Sequence, residues 1–217
     1  RRFDESGRIR AFRLDWKPGM PQAPHIYWDS DVAKWVESSA YAHAGRKNDL
    51  LERTVDLIIS AQQPDGYLNT HFTVCEPEKR WSDLRSSHEL YCAGHCIEAA
   101  IAHFETTGDN RFLSAMERYA GYIASCFGKA PGKKRGYPGH PEIELALVRL
   151  YRATGKKTYL ELASYFVEER GQVPNYFDIE AKERGNDSAI YGKKALENLQ
   201  AHIPVRKQTE ATGHAVR

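Results

Sequence analysis

Methionine is scarce, two in 217 residues, and the chain opens on Arg1-Arg2 instead of Met. No apolar run approaches the ~18 residues a transmembrane helix needs, which excludes a membrane span of that type. No sign of charge dominates: 31 basic residues against 29 acidic leave +2. That balance excludes the basic footprint of a nucleic-acid-binding surface. Cysteine is sparse, with Cys75, Cys92, Cys96 and Cys126 and no CxxC pair. In a chain of this size the pattern reads as free thiols in a reducing compartment and excludes a small disulfide scaffold. With no signal-peptide pattern at the start, the expected location is cytoplasmic. The fingerprints GxxxxGK[ST], GxGxxG and GxSxG are missing too, so the common nucleotide-binding and serine-hydrolase sites are not indicated.

What remains is an ordinary globular composition, 41% hydrophobic and 28% charged, with enough apolar residues for a sizeable core. Residues 1–28 mix charge, Gly and Pro and read as an irregular lead-in. Asp29-Ser30-Asp31 then offers a cap to a helix over Val32–His43, and a second helix spans Asn48–Gln62. Gln63-Pro64-Asp65-Gly66-Tyr67 has turn chemistry, followed by an extended stretch to Val74 and a loop to Ser86. Helices are expected over Ser87–Thr106, Asp109–Phe127, Pro141–Ala153 and Lys157–Arg170, with apolar positions near a 3.6 period. Gly171–Gly185 reads as irregular, Asp187–Gln200 as helix, and Gln208–Arg217 as the start of another.

Thr107-Gly108-Asp109-Asn110-Arg111-Phe112-Leu113 resembles Thr154-Gly155-Lys156-Lys157-Thr158-Tyr159-Leu160 at a spacing of 47 residues. Each copy is helix, Thr-Gly corner, helix, and periods of this length mean stacked helical hairpins. An open solenoid and a closed (α/α) toroid both satisfy the repeat. The long, unequal loops favour the toroid, since loops at one end of a ring build a pocket. Six such hairpins need roughly 280 residues. The expected fold is therefore all-α, an incomplete (α/α)6 toroid over residues 29–217, part of a longer protein.

His88, Cys92, His95 and Cys96 share one helical face at i, i+4, i+7 and i+8. Imidazole and thiolate are zinc's preferred ligands, although Cys and His on a helix face more commonly pack a core. His88 and His140 each open a helix after a loop, and Gly139-His140 is echoed by Gly213-His214. In a ring of hairpins the inner helices start at the same end, which makes His88 and His140 neighbours and brings His214 toward them. A neutral imidazole offers one donor and one acceptor to a sugar hydroxyl. Capping and packing are the alternative roles. Glu89, Glu142 and Glu144 lie near these histidines without forming an evident acid/base pair.

Several motifs occur together in one order: Asp29-Ser30-Asp31-Val32-Ala33-Lys34-Trp35, Ala61-Gln62-Gln63-Pro64-Asp65-Gly66-Tyr67-Leu68-Asn69-Thr70, His88-Glu89-Leu90-Tyr91-Cys92-Ala93-Gly94-His95, Arg135-Gly136-Tyr137-Pro138-Gly139-His140-Pro141-Glu142 and Gly213-His214-Ala215-Val216-Arg217. Together they resemble glycoside hydrolase family 127, which contains the β-L-arabinofuranosidases. The resemblance implies an (α/α)6 toroid and retaining, exo-acting release of terminal β-L-arabinofuranose from plant-derived glycans. It implies zinc in the complete enzyme, holding a cysteine nucleophile, with a separate glutamate as acid/base. It also implies that these catalytic and metal-binding residues lie beyond Arg217. Here His88, His140 and His214 match pocket positions, and Gln63, Asp65, Tyr67 and Tyr137 are candidates for the pocket rim. The expected partner is a glycan, with neither nucleic acid nor membrane. Two alternatives are a non-catalytic helical-hairpin binding module and another toroid glycosidase or lyase acting on uronic-acid sugars.

Overall fold

A computed structural model describes residues 5–185 and 193–216. The described residues are helical, with one isolated bridge between Phe127 and Lys134 and no strand. In order they form α1 (Arg8–Ala11), α2 (Trp28–Ala42), α3 (Asp49–Ser60), α4 (His71–Val74), α5 (Glu89–Thr107), α6 (Arg111–Cys126), α7 (Ile143–Thr154), α8 (Lys157–Glu169), α9 (Tyr176–Glu183) and α10 (Lys193–Asn198). Single 3-10 turns occupy Pro77–Lys79, Val205–Lys207 and Gly213–Ala215.

Three hairpins, α2/α3, α5/α6 and α7/α8, stack side by side. Helix α5 packs between α2 and α7 in an inner layer, and α6 touches both α3 and α8 in an outer layer. This is the two-layered architecture of an (α/α) toroid. The sequence explains the layering. Outer helices carry an apolar stripe on one face, as in α8 with Tyr159, Leu162, Ala163 and Phe166 buried, at the spacing of a core-facing helix. The central α5 is buried on every side from Glu89 to His103, and its small residues Ala93, Gly94, Ala99, Ala100 and Ala102 admit neighbours all round.

The repeat is real in three dimensions. Gly108 and Gly155 both stop their helices in the left-handed region, at φ 75° and 74°, which glycine adopts without a Cβ penalty. Just before them, Thr107 and Thr154 donate their hydroxyls to the carbonyls of His103 (2.6 Å) and Leu150 (2.7 Å).

Several expectations are corrected. The Asp29-Ser30-Asp31 triplet is not a cap: α2 starts at Trp28, and all three lie in its first turn. Asp29 instead accepts from the Thr70 amide (2.8 Å) and hydroxyl (2.6 Å), and Ser30 donates to the Tyr27 carbonyl. Asn48, by contrast, does cap, its side chain accepting from the Leu50 and Leu51 amides of α3 at 3.2 Å each. Asn48→Ala is expected to cost about 1 kcal/mol, read as a lower urea midpoint at unchanged slope. The lead-in is not wholly irregular, because α1 and Phe12 bury Ile9, Ala11 and Phe12 against the core. The stretch before Val74 ends in α4 instead of running extended. Gly171–Gly185 holds α9, capped by Asn175, whose side chain accepts from the Phe177 amide. The helix expected over Gln208–Arg217 is replaced by the turn Gly213–Ala215. There Gly213 sits so close to the Asn198 carbonyl that a Cβ would lie 2.1 Å from it. Within the helix expected over Asp187–Gln200, residues 187–192 lie outside the described residues. So do Arg217 and the side chain of His214.

Candidate functional site

The N-terminal ends of the inner helices converge. His88 is the residue before α5, His140 lies three residues before α7, and Tyr27 is the residue before α2. The His88 and His140 ring centroids are 5.0 Å apart. Tyr91 packs edge-on to both, at 5.7 and 5.8 Å, and Tyr27 meets His88 at 6.0 Å. His88 and His140 are half-buried, while Tyr27 is 42% exposed with the His25 ring tilted against it at 4.1 Å. The ring topology thus brings together the two histidines that spacing placed side by side. It also adds two aromatic residues, Tyr27 and Tyr91, that the sequence analysis did not assign to the site. Their signal was position alone, each within a turn of an inner-helix start.

His88 carries backbone strain. It sits at φ 61°, a left-handed conformation that costs a non-glycine residue on the order of 1–2 kcal/mol. Its Nδ1 lies 2.5 Å from the Ser86 carbonyl. A carbonyl only accepts, so Nδ1 carries the proton, and in the neutral ring Nε2 is the acceptor nitrogen.

Behind these rings lies a buried polar layer. His95 Nδ1 is 3.0 Å from Glu142 Oε1, both side chains almost fully enclosed, and Tyr91 packs on His95 at 4.6 Å. Lys34 donates to the Tyr91 hydroxyl at 3.0 Å. Gly94 makes this approach of α7 to α5 possible: a Cβ there would lie 2.7 Å from Glu142 Cγ and 2.9 Å from the Ile143 nitrogen.

The loops that present the histidines are stitched together. The Gly139 amide donates to the Leu84 carbonyl at 2.9 Å. The Glu180 carboxylate on α9 accepts from the Leu84 (2.9 Å) and Arg85 (3.4 Å) amides. Burial pushes the Glu180 carboxyl above its ordinary range, opposed in part by those two amides. Helix α9, in a stretch whose sequence reads as irregular, is therefore the buttress of the His88 loop.

The rim candidates divide. Gln63 and Asp65 stand on the turn closed by the Gly66 amide on the Gln63 carbonyl. Asp65 accepts from the Tyr67 amide and pairs with Arg80 at 3.3 Å. Tyr67 and Tyr137 are not at an exposed rim: they are 0% and 1% exposed. The Tyr67 hydroxyl donates to Glu89 at 2.5 Å, and its ring packs against Trp81, Tyr119 and Tyr122. The Tyr137 hydroxyl donates to the Asn175 side chain. A large ring whose hydroxyl finds an internal partner is stable in the core.

No thiolate-zinc set exists among the described residues. Cys92 and Cys96 are buried, burial pushes both thiols well above their ordinary range, and neither belongs to the group of described residues whose ligand atoms converge. Cys92 donates to the Ile26 carbonyl at 3.4 Å, and His88 and His95 are engaged by Ser86 and Glu142. On this face Cys92, His95 and Cys96 are thus core packing, and His88 alone reaches the site. The described residues that do bring three possible metal ligands together are His95, Glu98 and Glu142. Glu98 in that group already pairs with Arg149 at 3.0 Å.

Comparison with known proteins agrees with this geometry. A sequence model of the β-L-arabinofuranosidase GH127 catalytic domain matches residues 13–217. A non-reducing end β-L-arabinofuranosidase of Bifidobacterium longum subsp. longum is 43% identical over 202 residues, 88% of this chain and 31% of that protein. The crystal structure of a GH127 β-L-arabinofuranosidase from Geobacillus stearothermophilus T6 superposes with a TM-score of 0.88 at 48% identity, covering 98% of this chain and 34% of that one. A structure described as a GH127 β-arabinofuranosidase gives 0.79 at 31% identity, covering 98% and 33%. The chain thus spans about a third of the length of these relatives. On the family match, the identities and the shared architecture, the chain belongs to the catalytic domain of glycoside hydrolase family 127.

Proposed function

We propose that this chain forms one wall of the sugar site of an exo-acting β-L-arabinofuranosidase that releases terminal β-L-arabinofuranosyl units from plant-derived glycans. The observation that carries the reading is the pair of half-buried histidine rings, His88 and His140, 5.0 Å apart at the starts of adjacent inner helices. Two such rings reach neighbouring hydroxyls of a furanose, with His88 accepting through Nε2 because its Nδ1 proton is held by the Ser86 carbonyl. His214 is proposed as a third contact: its backbone turn is tied to α10 through the Thr212 hydroxyl on the Glu197 carbonyl.

The zinc, the cysteine nucleophile and the acid/base glutamate are proposed to belong to other parts of the complete enzyme. The described cysteines do not fit that role, so no step is routed through zinc here. This chain's residues bind and orient the sugar. The Tyr27, Tyr91 and Lys34 side chains border the site and narrow its access to water.

The test is hydrolysis of p-nitrophenyl β-L-arabinofuranoside by this chain and by the longest protein that contains it, with and without a zinc chelator. Chelator-sensitive hydrolysis by the longer protein, lost at least tenfold in His140→Ala, is the expected result. That factor corresponds to about 1.4 kcal/mol of lost transition-state binding. Hydrolysis by the 217-residue chain itself, or a longer protein indifferent to His88→Ala and His140→Ala, overturns the reading.

A further inference from the structure

The segment that presents His140 has little to hold it by itself. Pro138 and Pro141 flank the Gly139-His140 pair, and a proline has no amide to donate. The Gly139 amide goes to Leu84, and α7 begins only at Ile143. The carbonyls of Pro138 and Gly139 must therefore be held from outside, and Arg170, directly after α8, holds both.

The Arg170 side chain is 2% exposed. One terminal nitrogen, Nη1, donates to the Gly139 carbonyl (3.0 Å) and the Leu199 carbonyl (2.7 Å). The other, Nη2, donates to the Pro138 carbonyl (2.8 Å) and Glu144 Oε1 (2.8 Å). The guanidinium carbon stands 5.2 Å from the Tyr137 ring centre. A planar fork with donors fixed in two directions can serve all four acceptors, whereas an ammonium is a single point with three rotatable donors. Glu144 balances the buried charge and in turn accepts from the Glu142 amide at 3.1 Å.

We infer that Arg170 is the positioning residue for His140: it clamps the peptide that joins Gly139 to His140 and so sets where the ring stands relative to His88. The inference rests on the sugar-binding reading for its consequence, but its geometric core does not need a sugar.

The experiment compares this chain with R170K by histidine-selective NMR, by thermal melting and by titration with methyl β-L-arabinofuranoside. In R170K the His140 ring resonance and its pH midpoint are expected to move, while those of His43, just after α2, and His103, near the far end of α5, stay in place. Sugar binding is expected to weaken roughly tenfold, the scale of one misplaced hydrogen bond. In an H140A background the same R170K change is expected to alter binding by less than about twofold, because the group through which it acts is gone. A His140 signal unmoved in R170K, or the same weakening with and without His140, overturns the inference. If H140A leaves binding intact, the sugar reading fails, and the resonance comparison still decides the role of Arg170. Should R170K not fold, E144Q, which keeps the guanidinium and weakens its anchor, is expected to move the same His140 signal by less; no movement there counts against the inference.

Discussion

Gly139→Ala is expected to lower the melting temperature by roughly 10 °C, the consequence of losing about 4 kcal/mol in a domain of this size. A Cβ built on Gly139 would lie 2.0 Å from the Arg85 carbonyl oxygen, 2.8 Å from its carbon and 3.1 Å from its Cα. All three are backbone atoms, so no rotamer change relieves the contact. The two loops must separate, and separation breaks the bond from the Gly139 amide to the Leu84 carbonyl. Overpacking of a tight site costs ~1–3 kcal/mol, and stranding a buried donor adds another ~1–3 kcal/mol. The damage also reaches the site, since the separated loops carry His88 and His140. Gly121→Ala is the control, because nothing lies within 4 Å of its Cβ on α6. There alanine is expected to gain up to about 1 kcal/mol, the ordinary helix preference over glycine. Thermal melts of the two variants decide the matter: equal, small shifts would mean that the loops separate freely and that their stitching does not set the site.

Much of the scaffold was legible because it follows local rules. Helices α5 to α8 announce themselves by a 3.6 period, and the Thr-Gly corners by a glycine that stops each helix. The toroidal arrangement then put His88 and His140 at one end, where the structure has them. What escaped depends on contacts distant in sequence. Asp29 looks like a cap until Thr70, 41 residues away, takes both its oxygens. Tyr67 and Tyr137 look like surface aromatics beside turns until Glu89 and Asn175 supply partners for their hydroxyls. Helix α9 has only Phe177, Glu180 and Ala181 buried, too short a stripe to stand out between Pro174 and Gly185. Arg170 reads as the basic end of a helix, where cations favour the dipole, and nothing local shows that it reaches the loop before His140. The fold is written in near-neighbour spacing, whereas the supports of the site are written in pairs that only the fold brings together.

Glu89→Gln is expected to flatten the fall in stability of the chain between pH 5.5 and pH 7.5. Glu89 is 2% exposed. Its two oxygens accept from the Tyr67 hydroxyl (2.5 Å) and the Trp81 amide (2.8 Å). Burial raises its carboxyl from 4.5 to about 7, opposed in part by those two bonds and by the charges of Arg80 and Lys134. The folded chain therefore holds this proton more tightly than the unfolded chain does. Stability falls as pH rises wherever the folded state binds more protons, so Glu89 favours folding fully below its unfolded value and loses that contribution as pH climbs through about 7. Between pH 5.5 and 7.5 the loss is roughly 2 kcal/mol. Asp29, raised from 3.8 to about 6 by the same cause, adds a smaller fall that ends earlier. A glutamine keeps both bonds, because its oxygen accepts from the Trp81 amide and its nitrogen donates to the Tyr67 hydroxyl, which can accept. The variant is thus expected to gain on the parent by roughly 2 kcal/mol between pH 5.5 and pH 7.5, an advantage that begins once the pH passes the unfolded value of 4.5. Urea unfolding at the two pH values measures the difference directly, and taking variant minus parent cancels every other titrating group, histidines included. Parallel pH profiles would show that Glu89 is ionised in the fold with no penalty. Its bonds to Tyr67 and Trp81 would then outweigh its burial, and the residue beside His88 would be a structural anion instead of a carboxyl that holds its proton near neutral pH.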